Sequence, residues 1–275
     1  MGRIANGWRL MQASLKVLQA DKELLVFPII SALGVLLVSA AFIAPVVLTH
    51  AHQTDAAKNP LAVLVGFAFY VVVYFVIFFC NSALVGAAMI RLRGGDPTVG
   101  DGVRIAVSKA GPIIGYALLA ATVGMILKAI QERAGIIGKI ISSIIGVAWN
   151  IATALAVPVL VAEDVGPIEA VKRSTQLMKK TWGEEIVGTG AIGSVFGLFI
   201  VLALVVFGGG AALVAQTQPV VALAIGGVGV LVIICLAILN ATLSTIYQAA
   251  VYLYASEGQA QWFDAETIRA SYRRR

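Results

Sequence analysis

Long apolar stretches separated by short basic segments dominate the chain. Residues 24–54, 59–90, 110–127, 140–162 and 186–256 contain no Asp, Glu, Lys or Arg. About 20 apolar residues in a helix cross a bilayer, so each of the first four stretches predicts one transmembrane span. The fifth is 71 residues long and must hold two, divided at the polar turn Ala215–Pro219. The six predicted spans are Leu24–Leu48, Leu61–Ile90, Gly111–Leu127, Ile140–Val161, Ile186–Phe207 and Val220–Ala249. The first is expected to stay in the mature protein, because an amphipathic segment precedes it and it is longer than the apolar part of a signal peptide.

Those preceding segments have their own period. Ile4, Trp8, Met11, Leu15 and Leu18 recur at steps of four and three, with Arg3, Arg9, Gln12, Lys16 and Gln19 facing away, the pattern of an amphipathic helix in the membrane interface. A shorter version runs from Pro97 through Val103, Arg104, Ile105, Val107 and Lys109 to Gly111-Pro112. A third starts at Gly166-Pro167, with Ile168, Val171 and Met178 as its apolar side and Glu169 placed to pair with Lys172 or Arg173. The expected fold class is therefore all-α, a polytopic membrane protein of six transmembrane helices. They form three hairpins, each preceded by a cytoplasmic amphipathic helix, within one domain over 1–275. The possible repeats are 1–90, 97–161 and 166–254, followed by a tail at 255–275.

Composition fits this class: 60% hydrophobic residues and only 12% charged, where soluble domains carry about a quarter. Charge then sets the orientation. Of the twenty Lys and Arg residues, sixteen fall on the side bearing both termini; only Lys58, Lys128, Arg133 and Lys139 fall on the other. The positive-inside rule makes the first side cytoplasmic, so the net charge of +6 reflects topology and not nucleic-acid binding. Anionic lipid is the expected partner, with Trp8, Arg9, Lys16, Arg104, Lys172, Arg173, Lys179 and Lys180 as candidate contacts.

Two motifs carry a family resemblance. The stretch Val161–Trp182, with Glu163, Gly166-Pro167, Glu169-Ala170, Lys172-Arg173-Ser174, Leu177 and Trp182, resembles the segment after the fourth helix in several bacterial six-helix membrane families. One of these is the membrane domain fused to some glycerophosphodiester phosphodiesterases. The stretch Tyr252–Gly258, then Trp262-Phe263-Asp264, is similar to the end of a domain-of-unknown-function family. The resemblance implies a bacterial inner-membrane protein. It carries over no phosphodiesterase activity, since no catalytic domain accompanies these motifs.

No ionisable residue falls inside a predicted span, which ranks ion-coupled transport low. Gly193-Ser194-Val195-Phe196-Gly197 has no His in a span to activate its serine, and the chain has no HExxH motif. No enzyme activity, cofactor or metal site is expected. His50-Ala51-His52 lacks an adjacent acidic or Cys ligand, and Cys80 and Cys235 read as small apolar residues. Gly111/Gly115 and Gly193/Gly197 permit close helix approach, and Gly208-Gly209-Gly210 is expected to end or loosen the fifth helix. The aromatic run Tyr70, Tyr74, Phe75, Phe78 and Phe79 reads as packing.

What remains is amide chemistry. Asn81, Asn150 and Asn240 fall one per hairpin, each in the second helix and at comparable predicted depth. Asn240, Ser244 and Gln248 form a stripe at four-residue spacing, and Thr153 joins Asn150 beside Trp149. Such groups either bond neighbouring helices or line a path for polar solutes. The first expectation is a channel or passive transporter for ions or small polar solutes, homo-oligomeric, with these six residues on the path. The rival is a non-transporting scaffold that binds lipid or recruits a soluble partner. Cysteines introduced at Gly94 and Ser256 should be shielded from an impermeant thiol reagent in intact cells, and one at Thr54 labelled; the reverse pattern overturns the orientation.

Overall fold

The computed structural model describes residues 3–48, 60–133, 135–180 and 184–258, with side chains over 11–45, 60–133, 135–179 and 192–258. These residues are helical, with no strand among them. α1 (Arg3–Ala20) leads through a 3-10 turn (Lys22–Leu25) into α2 (Val26–Leu48), which forms a hairpin with α3 (Pro60–Leu92). α4 (Val99–Ser108) precedes the second hairpin, α5 (Ala110–Arg133) and α6 (Gly135–Thr153), with α7 (Ala156–Ala162) continuing it. α8 (Pro167–Lys180) precedes the third, built from α9 (Glu184–Ala203), a π turn (Leu204–Gly208), α10 (Gly209–Val214) and α11 (Pro219–Glu257). Six of these helical segments are long and apolar enough to cross a membrane.

The core lies at one end. Every buried residue of α3 falls between Cys80 and Leu92, and every buried residue of α11 except Gly229 between Thr242 and Leu253. The same ends hold Leu155–Leu160, all buried, and Ala170, Ser174, Leu177 and Met178 of α8. At the opposite ends Leu37, Leu61, Leu64 and Leu223 are exposed, as helices facing lipid should be.

Small residues bring the buried ends together. A Cβ at Gly102 of α4 would stand 2.7 Å from the Ala83 carbonyl oxygen and 2.5 Å from Phe27 Cζ, and one at Gly86 of α3 would stand 2.9 Å from Ile105. α4 thus lies directly on the first hairpin, its start fixed by reciprocal bonds between Thr98 and Asp101. Gly115 approaches Pro167 as closely, whereas Gly111, Gly193 and Gly197 have nothing within 4 Å of an added Cβ.

Several expectations need correction. The fourth span is not one helix. Pro158 has no N–H for the Ala154 carbonyl and its ring crowds that carbonyl, and the helix is interrupted between Thr153 and Ala156. α8 fills the gap: Leu155 N–H donates to Ser174 Oγ at 3.0 Å, both residues being fully buried. The glycine triplet does not end the fifth helix, which continues to Val214 through the π turn, where Phe207 packs against Gly229. The sixth helix runs on to Glu257 and ends at Gly258 in a left-handed conformation, φ 69°.

The amphipathic helices are docked on protein, with Val103 and Val107 of α4 and Ile168 of α8 left exposed. α4 packs on the first hairpin and α8 on the second, each the hairpin before it in sequence. α1 instead packs on α9 and α11 of the third hairpin, which follows it in sequence. Its buried face is accordingly wider than the predicted stripe: Met11, Ser14, Val17 and Leu18 are buried and Leu15 half-buried, with Gln12, Lys16 and Gln19 exposed.

Gly102→Val should lower the thermal stability of the detergent-solubilised protein by roughly 1–3 kcal/mol, the cost of overpacking against backbone. Gly193→Ala, with open space around it, should leave stability unchanged or slightly higher. Equal stability in the two variants would contradict the close α3–α4 contact.

Candidate functional site

Two polar regions are candidates: the amides within the spans, and a ring of charged groups where the spans reach the end holding the core. Asn81 is tied into the packing. Its Oδ1 accepts a hydrogen bond from Thr245 Oγ1 at 3.0 Å, joining α3 to α11. Because α3 and α11 run in the same direction, this bond puts Asn81 level with Thr245. Asn240 then lies about 7.5 Å further along the helix axis, five residues at 1.5 Å rise, so the expectation of comparable depth fails for this pair.

Asn240 is half-buried, and its Oδ1 is buried without a hydrogen-bond partner among the described residues. Ser244 and Gln248 are half-buried too, beside exposed Ala241 and Ala237. The stripe therefore runs along the border between the packed face of α11 and its outward face. Asn150, on α6, is exposed. Thr153 donates to the Trp149 carbonyl at 2.8 Å, a local bond that satisfies its hydroxyl within the helix, and its side chain also lies against the Tyr116 hydroxyl. α6 packs mainly on α5 and α8, and α11 on α9, α3 and α1. The six amide and hydroxyl residues are thus distributed over different contacts, with only Asn81 drawn toward α11.

The charged ring escaped the sequence reading. Arg91, in the last turn of α3, pairs with Asp96 and lies 3.5 Å from buried Asp21. Arg93 pairs with Glu257 at the end of α11. Glu163, after α7, accepts from Arg173 Nε and from the Tyr252 hydroxyl, each at 3.1 Å. Lys109 donates to the Glu163 carbonyl and to Asp164, both at 3.2 Å. Glu23 accepts from Val99 N–H at 2.8 Å, holding the start of α4. Each span-end charge was visible in the sequence, but its partner lies up to 164 positions away, beyond any local pattern. Burial pushes the Asp21 carboxyl above the usual carboxylate range, with Arg91 opposing the shift. Thr98 holds the Asp101 carboxyl below that range.

Among the candidate lipid contacts, Lys16, Arg104, Lys172 and Lys179 are exposed. Arg104 lies 3.7 Å from Asp101, and Lys172 3.9 Å from Glu169 as expected. Arg173 donates through its Nε to Glu163 and is partly accessible. The side chains of Trp8, Arg9 and Lys180 lie outside the described residues, as do His50 and His52. Among the described residues no three His, Cys, Asp or Glu side chains are grouped to hold a metal ion, and Cys80 and Cys235 are unlinked.

The Asn81–Thr245 bond gives a measurable expectation. Thr245→Val removes the donor at nearly constant shape and should destabilise the solubilised protein by about 0.5–2 kcal/mol, the range for interhelical polar contacts. Asn81→Leu combined with Thr245→Val should cost less than the sum of the single changes; strict additivity would show that the two side chains act independently.

No curated protein and no solved structure matches the chain. A family model does match, over residues 60–262, from the start of α3 to beyond the end of α11. On that coverage the chain belongs to the family of unknown function DUF6159.

Proposed function

We propose that the protein is a membrane scaffold of the bacterial inner membrane, termini on the cytoplasmic side, whose docked amphipathic helices hold a basic surface against anionic lipid. The observation that carries this reading is the packing of those helices. α1, α4 and α8 pack on the hairpins at the end that holds the core, burying Met11, Val17 and Leu18, Gly102 and Ala106, and Ala170, Leu177 and Met178, while Lys16, Arg104, Lys172 and Lys179 remain exposed beside exposed Val103, Val107 and Ile168. A rigid core fixes where these charges stand, and the dense packing there favours anchoring over conduction.

A second reading, the homo-oligomeric channel, draws support from two amides. Asn150 is exposed on the helix that begins at Gly135, about 16 Å deeper along the axis than Lys139 by the rise per residue. Asn240 has a buried oxygen without a partner. An unpaired amide in hydrocarbon costs several kcal/mol, roughly, so a second copy or water supplies what the single chain lacks.

The two readings separate in reconstituted vesicles. For a scaffold, replacing Lys16, Arg104, Lys172 and Lys179 together by Gln weakens the preference for anionic over neutral lipid by about 1 kcal/mol per residue at low salt, and salt erodes the wild-type preference. Ion and solute flux should match empty vesicles. Wild-type flux that Asn240→Leu alters without loss of stability would replace the scaffold by the channel.

A further inference from the structure

α6 meets the rest of the chain along one narrow stripe. Only Gly138 and Ser142 of this helix are buried, and it packs mainly on α5 and α8. A second stripe faces outward: Ile136, Ile140, Ser143, Val147 and Asn150 recur at steps of four and three, and all five are exposed. Helices that wind around one another in parallel use this spacing, and β-branched residues at alternate positions, as Ile140 and Val147 are here, favour two strands. Lipid tails cover isoleucine and valine as well as protein does. They cannot satisfy Asn150.

Asn150 stands near the middle of the fourth span, Gly135–Ala162. At the helical rise it lies about 16 Å from Lys139 and about 18 Å from Ala162, in a hydrocarbon layer about 30 Å thick, so headgroups are out of its reach. Its side-chain amide bonds no described residue, and an unpaired amide at this depth is costly. Copies of one chain insert with the same orientation, so their α6 helices run parallel. About a twofold axis along the membrane normal each residue of the stripe meets its own counterpart at the same depth. An amide is the side chain that its own copy can satisfy, Oδ1 accepting where Nδ2 donates. Ser143, one heptad earlier, spends its hydroxyl proton on the Lys139 carbonyl at 2.7 Å and is small enough to let two backbones approach.

We infer that the outward stripe of α6 is the interface of a parallel twofold dimer of this chain, closed by hydrogen bonds between the Asn150 amides of the two copies. The interface goes beyond both functional readings. It holds for a scaffold, where α8 packs on α6 and the dimer carries two sets of Lys172 and Lys179 on one cytoplasmic surface. It also takes Asn150 out of any solute path, since each amide is spent on the other.

The test uses the full-length protein in liposomes with exposed Cys235 replaced by Ala, Cys80 being buried. Single cysteines are placed on the stripe, Ser143→Cys and Val147→Cys, and off it at exposed positions, Ile141→Cys and Ala148→Cys. On oxidation the first two should form a linked dimer and the second two should not, because a disulfide requires Cα atoms within about 7 Å. Equal linking at all four positions, or none at any, overturns the interface. Energy transfer between labelled copies at falling protein-to-lipid ratio then reads the dimer itself. Asn150→Leu should raise its dissociation constant roughly 3- to 20-fold, the loss of an interhelical polar contact, whereas Asn150→Gln, which keeps the amide, should retain most of the affinity. An unchanged dissociation constant in Asn150→Leu, assemblies larger than two, or links made only to a different protein in native membranes overturn the proposal. The preference for anionic lipid is measured on the same vesicles, so the scaffold reading stands or falls separately.

Discussion

The close packing of the buried half of α3 is the contact on which the other elements depend. Lipid tails are as apolar as Leu, so helices in a bilayer gain little by hiding apolar surface from one another. They gain instead from van der Waals contact at short range. The run Ser82-Ala83-Leu84-Val85-Gly86-Ala87-Ala88 gives α3 a narrow profile, with every one of these residues buried. α2, α4, α5, α7 and α11 all pack on this helix. The Asn81–Thr245 bond adds direction to a contact that apolar residues alone would leave free to slide.

The same short-range packing raises the demand on polar groups. Within the core, the Leu155 N–H freed by the break before Pro158 meets the Ser174 hydroxyl, and Glu163 gathers Arg173 and Tyr252. These bonds join α8, the end of the second hairpin and α11. The basic helix α8 therefore has two faces with separate duties: Ser174 and Arg173 engage the protein, while Lys172 and Lys179 remain outside. The sequence alone offers Glu169 as a partner for Lys172 or Arg173 and gives no sign of Glu163.

Span number and hairpin order were legible because charge depletion over 20 or more residues is a strong one-dimensional signal. The charge-free stretch 140–162 was read correctly as membranous and wrongly as one helix, since hydropathy does not register a missing N–H. The effect of Pro158 was available from its identity, but not the partner at Ser174. The Gly208–Gly210 triplet loosens the fifth helix into a π turn without ending it, for glycine weakens a helix without forbidding it, and Gly229 gives Phe207 a place to pack. The amides were found by their rarity in apolar sequence. Which of them is bonded, as Asn81 is, or left open, as Asn240 is, depends on neighbours distant in sequence.

The docking pattern of the amphipathic helices also sets an order of assembly. As the chain emerges from the ribosome, α4 and α8 each appear just after the hairpin that receives them, so they can seat without delay. α1 appears well before α9 and α11, on which it is seated. Until then its apolar side must rest on the bilayer surface or another protein, and only completion of the sixth helix offers it this seat. α1 is therefore made well before the surface that receives it.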